Sequence, residues 1–222
     1  MAETFMDLFF LSVRYVFVVA IGLLPIMNPL STIPLFLALT RRMEPERQRR
    51  QAARASIYAF AILAAFLLVG NGIIALFGIS MPGIRVAGGL IILVLAFRML
   101  FAGETPAKTQ GDEEGFEQHE ADYSFSPLAM PSLAGPGSIA VVMSYGSEIP
   151  EKYEVLGHFV VLCGIGIVVA CAYVALAGAV RIAKFLGEAG IQSVTKIMGF
   201  LLACVAVQFI ASGIRDFIIS FS

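Results

Sequence analysis

Six apolar runs of membrane-spanning length recur along this chain and leave no room for a separate soluble domain. A helix needs about 20 apolar residues to cross a bilayer, and such runs lie at 11–39, 53–77, 84–101, 125–145, 155–180 and 194–219. The chain of 222 residues is 59% hydrophobic and only 14% charged. The short alternating segments of a β-barrel are missing. The sequence therefore predicts an all-α, polytopic membrane protein with six transmembrane helices.

Two proline triplets with the same internal spacing interrupt the first and fourth runs. They are Pro25, Pro29 and Pro34 and, 102 positions later, Pro127, Pro131 and Pro136. A proline inside a helix removes a backbone donor and clashes with the preceding turn. We therefore expect broken first and fourth helices. Broken helices at matching positions in two halves of a membrane protein point to a transporter's binding site.

The third helices of the two halves also match. Residues 88–103 align with 198–213 at a shift of 110, which pairs Arg98 with Gln208. Three helices per half place the start of the second half on the opposite face of the membrane. We therefore predict two inverted three-helix repeats, at 1–102 and 125–222, joined by a linker at 103–124.

Basic residues predict the orientation. Six arginines crowd residues 41–54, the first connection, which should therefore be cytoplasmic. Both termini then face the periplasm or exterior. The linker, on the cytoplasmic side, holds seven acidic residues against Lys108 alone. Such a charge run is typical of a solvated linker, and a role in docking a partner is the alternative.

A helix break leaves backbone groups inside the membrane that protein, water or a ligand must satisfy. The half-helix after Pro29 presents N–H groups and a positive dipole end, which suit a carboxylate. At the second break, missing side chains let a ligand approach the backbone. The predicted substrate-binding residues are Asn28, Pro29, Ser31, Thr32, Pro34, Pro131, Ser132, Gly135, Pro136, Gly137 and Ser138.

Two breaks of different chemistry suit a small solute with one anionic and one cationic end. Helix kinks made only for packing are the alternative. Arg98 and Gln208 are candidates for lining the cavity, and Gln208 could instead bond to a neighbouring helix. Arg85 and Arg98 lie near opposite ends of the third helix. We expect both to extend to the interface, with gating or contact with a substrate carboxylate as the alternative.

Several classes of function are disfavoured by what the apolar runs lack. Their central parts contain no Asp or Glu, the residues on which proton relays and cation export usually depend. No nucleophile–base pair or paired carboxylates occur there, so we do not expect an enzyme. No metal-ligand spacing is present. We expect no cofactor, and we leave Na⁺ or H⁺ open as a coupling ion.

The chain resembles the MarC family of bacterial integral membrane proteins from end to end. The resemblance rests on MNPLSTIPLFLALT at 27–40, GIRVAGGLIILVLAFRMLF at 83–101, PLAMPSLAGPGSIA at 127–140 and KIMGFLLACVAVQFI at 196–210. It implies six helices in the bacterial inner membrane and a grouping with transporters of small neutral amino acids. The family's motif positions fall on Asn28, Pro29, Ser31, Thr32, Pro34, Pro131, Gly135, Pro136 and Gly137.

The leading hypothesis is therefore a secondary transporter of glycine- or alanine-class amino acids, working by alternating access at a midplane site. Its expected partners are a zwitterionic amino acid and the lipid bilayer, without nucleic acid. A homo-oligomer is left open. The alternatives are an uncoupled channel or exporter for another small solute, and a non-transporting membrane scaffold or regulator.

Overall fold

A computed structural model of the protein describes residues 2–101 and 122–221, which are helical almost throughout and contain no strand. In chain order they form α1 (Ala2–Met27), α2 (Pro29–Thr40), α3 (Pro45–Phe77), α4 (Met81–Leu100), a wide-turn segment (Ser124–Leu133), α5 (Pro136–Ser147), a 3₁₀ turn (Glu151–Tyr153), α6 (Glu154–Ala177) and α7 (Ala179–Phe221). The acidic linker predicted at 103–124 lies almost entirely outside the described residues.

Five stretches of helix in the described ranges are long and apolar enough to cross a membrane: Phe10–Met27, Pro45–Phe77, Met81–Leu100, Glu151–Ala177 and Ala189–Ser220. The wide-turn segment and α5 together would make a sixth crossing. The 33 residues of α3 extend about 50 Å, against about 30 Å of hydrocarbon. The prediction of an all-helical membrane protein is confirmed, and the count of six stays a prediction.

The first proline triplet breaks its helix at one point, between α1 and α2. Asn28 adopts the left-handed conformation, with φ 37° and ψ 68°, which Asn tolerates better than most residues. Pro29 then opens α2, where its fixed φ suits a helix start and its missing N–H leaves no bond unmade. Pro25 and Pro34 lie inside α1 and α2. One proline of the three therefore marks the break.

The second triplet produces a longer irregularity. The wide-turn segment is closed by bonds between residues five apart, such as the 2.8 Å bond from Ala134 N to Ala129 O. The residues before its two prolines are extended, as the proline ring favours. A bend of 62° separates this segment from α5, which starts at Pro136. The first break thus lies directly before Pro29, the middle proline of its triplet. The second lies directly before Pro136, the last proline of its triplet.

Glycines bring α4 and α7 close together. A Cβ on Gly89 would lie 2.9 Å from the carbonyl oxygen of Ala206, and one on Gly199 would lie 3.1 Å from that of Ala96. Residues later in α4 therefore face residues earlier in α7, so the two helices are antiparallel. Small residues that allow such close approach are the usual means of helix association in membranes.

The remaining helices pack across the two halves of the chain. α1 lies against α6, where Val19 fills the space beside Gly164. α3 lies against α5 and the wide-turn segment, and Leu67 packs on Gly146. The first element of each half therefore contacts the second long helix of the other half. This arrangement brings the two helix breaks to neighbouring positions beside α4.

Candidate functional site

A cavity of about 630 Å³ lies where the two helix breaks meet α4. The end of α1 and the first turns of α2 form one wall, and the junction of the wide-turn segment with α5 forms another. The second half of α4 adds an apolar wall that consists of Leu90, Ile91, Val94 and Leu95. A mostly apolar cavity with a few polar groups is typical of sites for small molecules.

The structure gathers nine of the eleven predicted substrate-binding residues around this cavity, although they come from both halves of the chain. They are Asn28, Ser31, Thr32, Pro131, Ser132, Gly135, Pro136, Gly137 and Ser138. Pro29 is buried and Pro34 is exposed, and neither lines the cavity. Arg98 does line it, whereas Gln208 lies exposed on α7 and outside the lining.

Asn28 caps α2 and is 4% exposed. Its Oδ1 accepts a hydrogen bond from Ser31 N at 3.3 Å. Its carbonyl oxygen accepts from Ser31 Oγ at 3.0 Å and from Thr32 Oγ1 at 3.4 Å. Asn28 Nδ2 lies 3.4 Å from Met99 Sδ, a weak acceptor, and so connects the break to α4. The cap therefore already engages the Ser31 amide, one of the N–H groups expected to suit a carboxylate, and the hydroxyls of Ser31 and Thr32.

The second break differs because α5 begins without a side-chain cap. Ser132 Oγ donates to the Pro127 carbonyl at 2.7 Å, and Ser138 Oγ donates to the Leu133 carbonyl at 3.2 Å. These hydroxyls satisfy carbonyl groups of the irregular backbone. Within the described ranges, no side-chain cap is bonded at the start of α5, and the positive end of that helix dipole lies at the cavity.

The glycines of the second break make room for the protein's own atoms. A Cβ on Gly135 would lie 2.7 Å from the Pro131 carbonyl oxygen, which is closer than real Cβ contacts come. One on Gly137 would lie 2.9 Å from Ile92 Cγ1. The sequence predicts that these glycines let a ligand approach the backbone. In the structure, backbone geometry at Gly135 and packing of α5 on α4 at Gly137 already require them.

Arg98 is the one charged residue in the cavity lining as the structure describes it. It lies in the last turn of α4, and its side chain is exposed. Within residues 2–101 and 122–221, no carboxylate forms an ion pair with it. The described lining also contains no Asp or Glu. The described part of the lining therefore has a positive group and no negative counterpart.

A second charged group is Arg85, at the opposite end of α4, whose ion-pair partners were not predicted from the sequence. The side chain of Arg85 is 16% exposed. It donates from Nε to Ser144 Oγ at 3.0 Å and from Nη2 to Glu148 Oε1 at 2.6 Å, and it also contacts the Asp216 carboxylate. Ion pairs with Glu148 and Asp216 enclose the Arg85 side chain, and its extension to the membrane interface stays a prediction. Asp216, an acidic residue near the end of the last apolar run, could have indicated from the sequence that a basic partner lies nearby.

A third polar contact lies where the described part of the second half begins. Arg54 Nη1 pairs with Asp122 Oδ2 at 2.8 Å. The Ser124 hydroxyl and amide both donate to Asp122 Oδ1. The hydrogen bond from the Ser124 side chain, with smaller contributions from the Ser124 amide and Arg54, lowers the pKa of Asp122 below its ordinary 3.8 despite partial desolvation. This contact fastens the start of the second half to α3.

Comparison with known proteins agrees with the arrangement of long apolar helices. The family model described as "MarC family integral membrane protein" matches residues 13–218. The chain is 40% identical to proteins named inner membrane protein MarC from Citrobacter koseri and Salmonella typhimurium, and 39% identical to one from Escherichia coli. Each alignment covers 88% of this chain and 92% of the relative. No solved structure matches.

Proposed function

The chain belongs to the MarC family of integral membrane proteins, and from that premise we propose that it is a secondary transporter of small neutral amino acids, of the glycine and alanine class. One observation carries the proposal: two helix breaks from different halves of the chain share one cavity. Unwound backbone at membrane depth is tolerated where it lines a cavity. Discontinuous helices that meet at such a site are typical of secondary transporters.

The cavity is the proposed substrate site. The hydroxyl oxygens of Ser31, Thr32 and Ser132 have lone pairs available, because each hydroxyl donates its own proton to a backbone carbonyl. Such oxygens suit an ammonium group or a coupling ion. Arg98 and the positive end of the α5 dipole, on the same cavity, suit the substrate's carboxylate. A zwitterion would therefore find both kinds of partner, and Na⁺ or H⁺ would be the coupling ion.

We also propose that the two halves are inverted three-helix repeats, with the wide-turn segment and α5 together forming the sixth crossing. The antiparallel contact of α4 with α7, the third long helices of the two halves, supports this arrangement. The reciprocal packing of α1 on α6 and of α5 on α3 supports it as well. An inverted repeat would allow alternating access, since the halves can exchange conformations around a fixed site.

The proposed orientation places both termini on the periplasmic side of the inner membrane. The relatives are named inner membrane proteins. Arginines at the start of α3, among them Arg47, Arg49 and Arg50, support a cytoplasmic position for the connection between α2 and α3. The alternating crossings then leave the cavity end near Arg98 on the cytoplasmic side and Arg85 on the outer side.

Uptake into liposomes tests the proposal. The purified full-length protein would be reconstituted, and uptake of labelled glycine and alanine measured with and without sodium and proton gradients. We expect saturable accumulation that one of the two gradients drives. Thr32→Val, which removes a cavity hydroxyl at nearly constant volume, should lower uptake. Thr195→Val on α7, outside the cavity lining, is the matched control and should not.

Other outcomes identify the alternatives. Flux that neither saturates nor follows an ion gradient would support an uncoupled channel or exporter. The absence of flux in either direction, from protein shown to be folded by its elution profile and thermal unfolding, would contradict transport of these amino acids. The scaffold or regulator would then be favoured.

A further inference from the structure

Among the residues that the structure describes, the charge of the cavity lining is unbalanced, and this imbalance bears on what the cavity binds. Arg98 supplies one positive group, and the lining described by the structure contains no carboxylate. A solute's negative group would therefore find a guanidinium, whereas an ammonium group would find only neutral oxygens. Charge-assisted hydrogen bonds are about twice as strong as neutral ones. The anionic end of a solute is consequently the end that this cavity can hold most strongly.

The hydroxyl donors around the cavity are already used within the protein. Four hydroxyls donate to backbone carbonyls: those of Ser31, Thr32, Ser132 and Ser138. The Ser31 amide donates to the Asn28 side chain. Arg98, by contrast, has five N–H groups in a planar arrangement that matches a carboxylate. The first turn of α5, which has no side-chain cap, is a further positive group on the described lining.

We propose that Arg98 binds the carboxylate of the transported solute, and that a carboxylate rather than an ammonium group is the obligatory recognition element. This inference rests on the proposed transport function and names the substrate class for the same site. The uncapped start of α5 adds a positive dipole end on another wall of the cavity. Small monocarboxylates without an amino group then bind the cavity, and amines without a carboxylate do not.

A lipid phosphate is the other anion that Arg98 could reach, because the residue lies near the end of α4 and is exposed. The two anions are separable. If Arg98 contacts a lipid phosphate, the effect of an Arg98 substitution on uptake would change with the lipid composition of the vesicle. A soluble carboxylate would then not compete with the substrate. Uptake is therefore measured in vesicles of phosphatidylcholine alone and of phosphatidylcholine with phosphatidylglycerol.

The experiment uses two competitors that each resemble half of alanine. Propionate lacks the amino group and ethylamine lacks the carboxylate. We expect propionate to inhibit uptake of labelled alanine by the reconstituted protein, and ethylamine to have no effect. Arg98→Gln should raise the half-saturating alanine concentration by about tenfold to a hundredfold, the loss of one charge-assisted hydrogen-bond pair. Arg98→Lys should recover part of this loss, and the result should be the same in both lipid mixtures.

Arg181→Gln on α7 is the charge-matched control, since Arg181 is exposed and outside the cavity lining. Inhibition by ethylamine but not by propionate would overturn the inference, as would normal half-saturation in Arg98→Gln. Either result would leave transport itself established. If no amino acid is taken up at all, the proposed function fails separately. Thermal stabilisation of the wild type by propionate, and not of Arg98→Gln, would then still support carboxylate binding, and its absence would refute it.

Discussion

The guanidinium of Arg85 contacts the carboxylate of Asp216 between α4 and α7, although 131 positions separate the two residues in the chain. Their side chains are 16% and 24% exposed. Glu148, directly after α5, pairs with the same guanidinium. Ion pairs of this kind are costly to break because removal of one partner leaves a buried charge. The network therefore ties three helices together at the end of α4 that lies away from Arg98.

Asp216→Asn should destabilise the protein, because Arg85 then keeps only one ion pair, with the more exposed Glu148, beside its hydrogen bond to Ser144. We expect a loss of about 1–3 kcal/mol, below the range for fully buried pairs because solvent reaches this one. Thermal unfolding in detergent measures it. The double variant Arg85→Gln with Asp216→Asn should lose less than the sum of the single variants. Arg181→Gln is the control, since that side chain is exposed and forms no ion pair among the described residues. Additive losses would show that the pair is not coupled.

Asn28 combines a left-handed backbone with a side-chain cap, and two substitutions separate these roles. Asn28→Gly keeps the backbone conformation at no steric cost but removes the carboxamide. Asn28→Ala loses the cap and also strains the backbone, so it should be less stable than Asn28→Gly by about 1 kcal/mol. Unfolding temperatures measure this difference. Equal stability of the two variants would mean that the break does not depend on the left-handed conformation.

Close packing of α4 on α7 makes Gly89 sensitive to a single methyl group. A Cβ there would meet the Ala206 carbonyl oxygen at 2.9 Å and the Ile210 nitrogen at 3.1 Å, and backbone atoms cannot move aside cheaply. Gly89→Ala should therefore cost about 1–3 kcal/mol of stability. Gly72→Ala is the matched control, because a Cβ added there would meet no atom within 4 Å beyond the neighbouring backbone of its own helix. That variant should be neutral or stabilising, since Ala favours a helix over Gly. Similar behaviour of both variants would contradict the α4–α7 contact.

The carboxyl of Asp122 should titrate below its ordinary pKa of 3.8, chiefly because of the hydrogen bond from the Ser124 side chain. Ser124→Ala should therefore raise the pKa of Asp122 more than Arg54→Gln does. A carboxyl whose pKa is lowered in the folded state stabilises the protein at pH values above its ordinary pKa. This stabilisation is lost as the pH falls through the pKa of the folded state. Carboxyl-selective NMR titration of the three proteins checks the order. A larger effect of Arg54→Gln would assign the shift to the ion pair instead.

Much of the site could be predicted because its parts are local features of the chain. A proline acts on its own turn, so the triplets located both breaks within a few residues. The polar side chains beside those prolines, such as Asn28 and Ser132, were then the natural candidates. Their hydrogen-bond partners could not be predicted, since whether a hydroxyl donates to a carbonyl or faces a ligand depends on backbone angles that proline spacing does not specify. We therefore propose that Arg98, rather than the first turn of α2, binds the carboxylate of the substrate.

The amino-acid sequence by itself determined the helical membrane class and the positions of the two breaks, because apolar length and proline geometry act through neighbours along the chain. It did not determine which arginine is neutralised. Arg85 and Arg98 are near opposite ends of one helix, and hydropathy treats them alike. Only the tertiary structure, by placing α5 and α7 beside the first turns of α4, surrounds Arg85 with carboxylates and leaves Arg98 facing the cavity. Electrostatic pairing depends on distance in space, which helix packing decides.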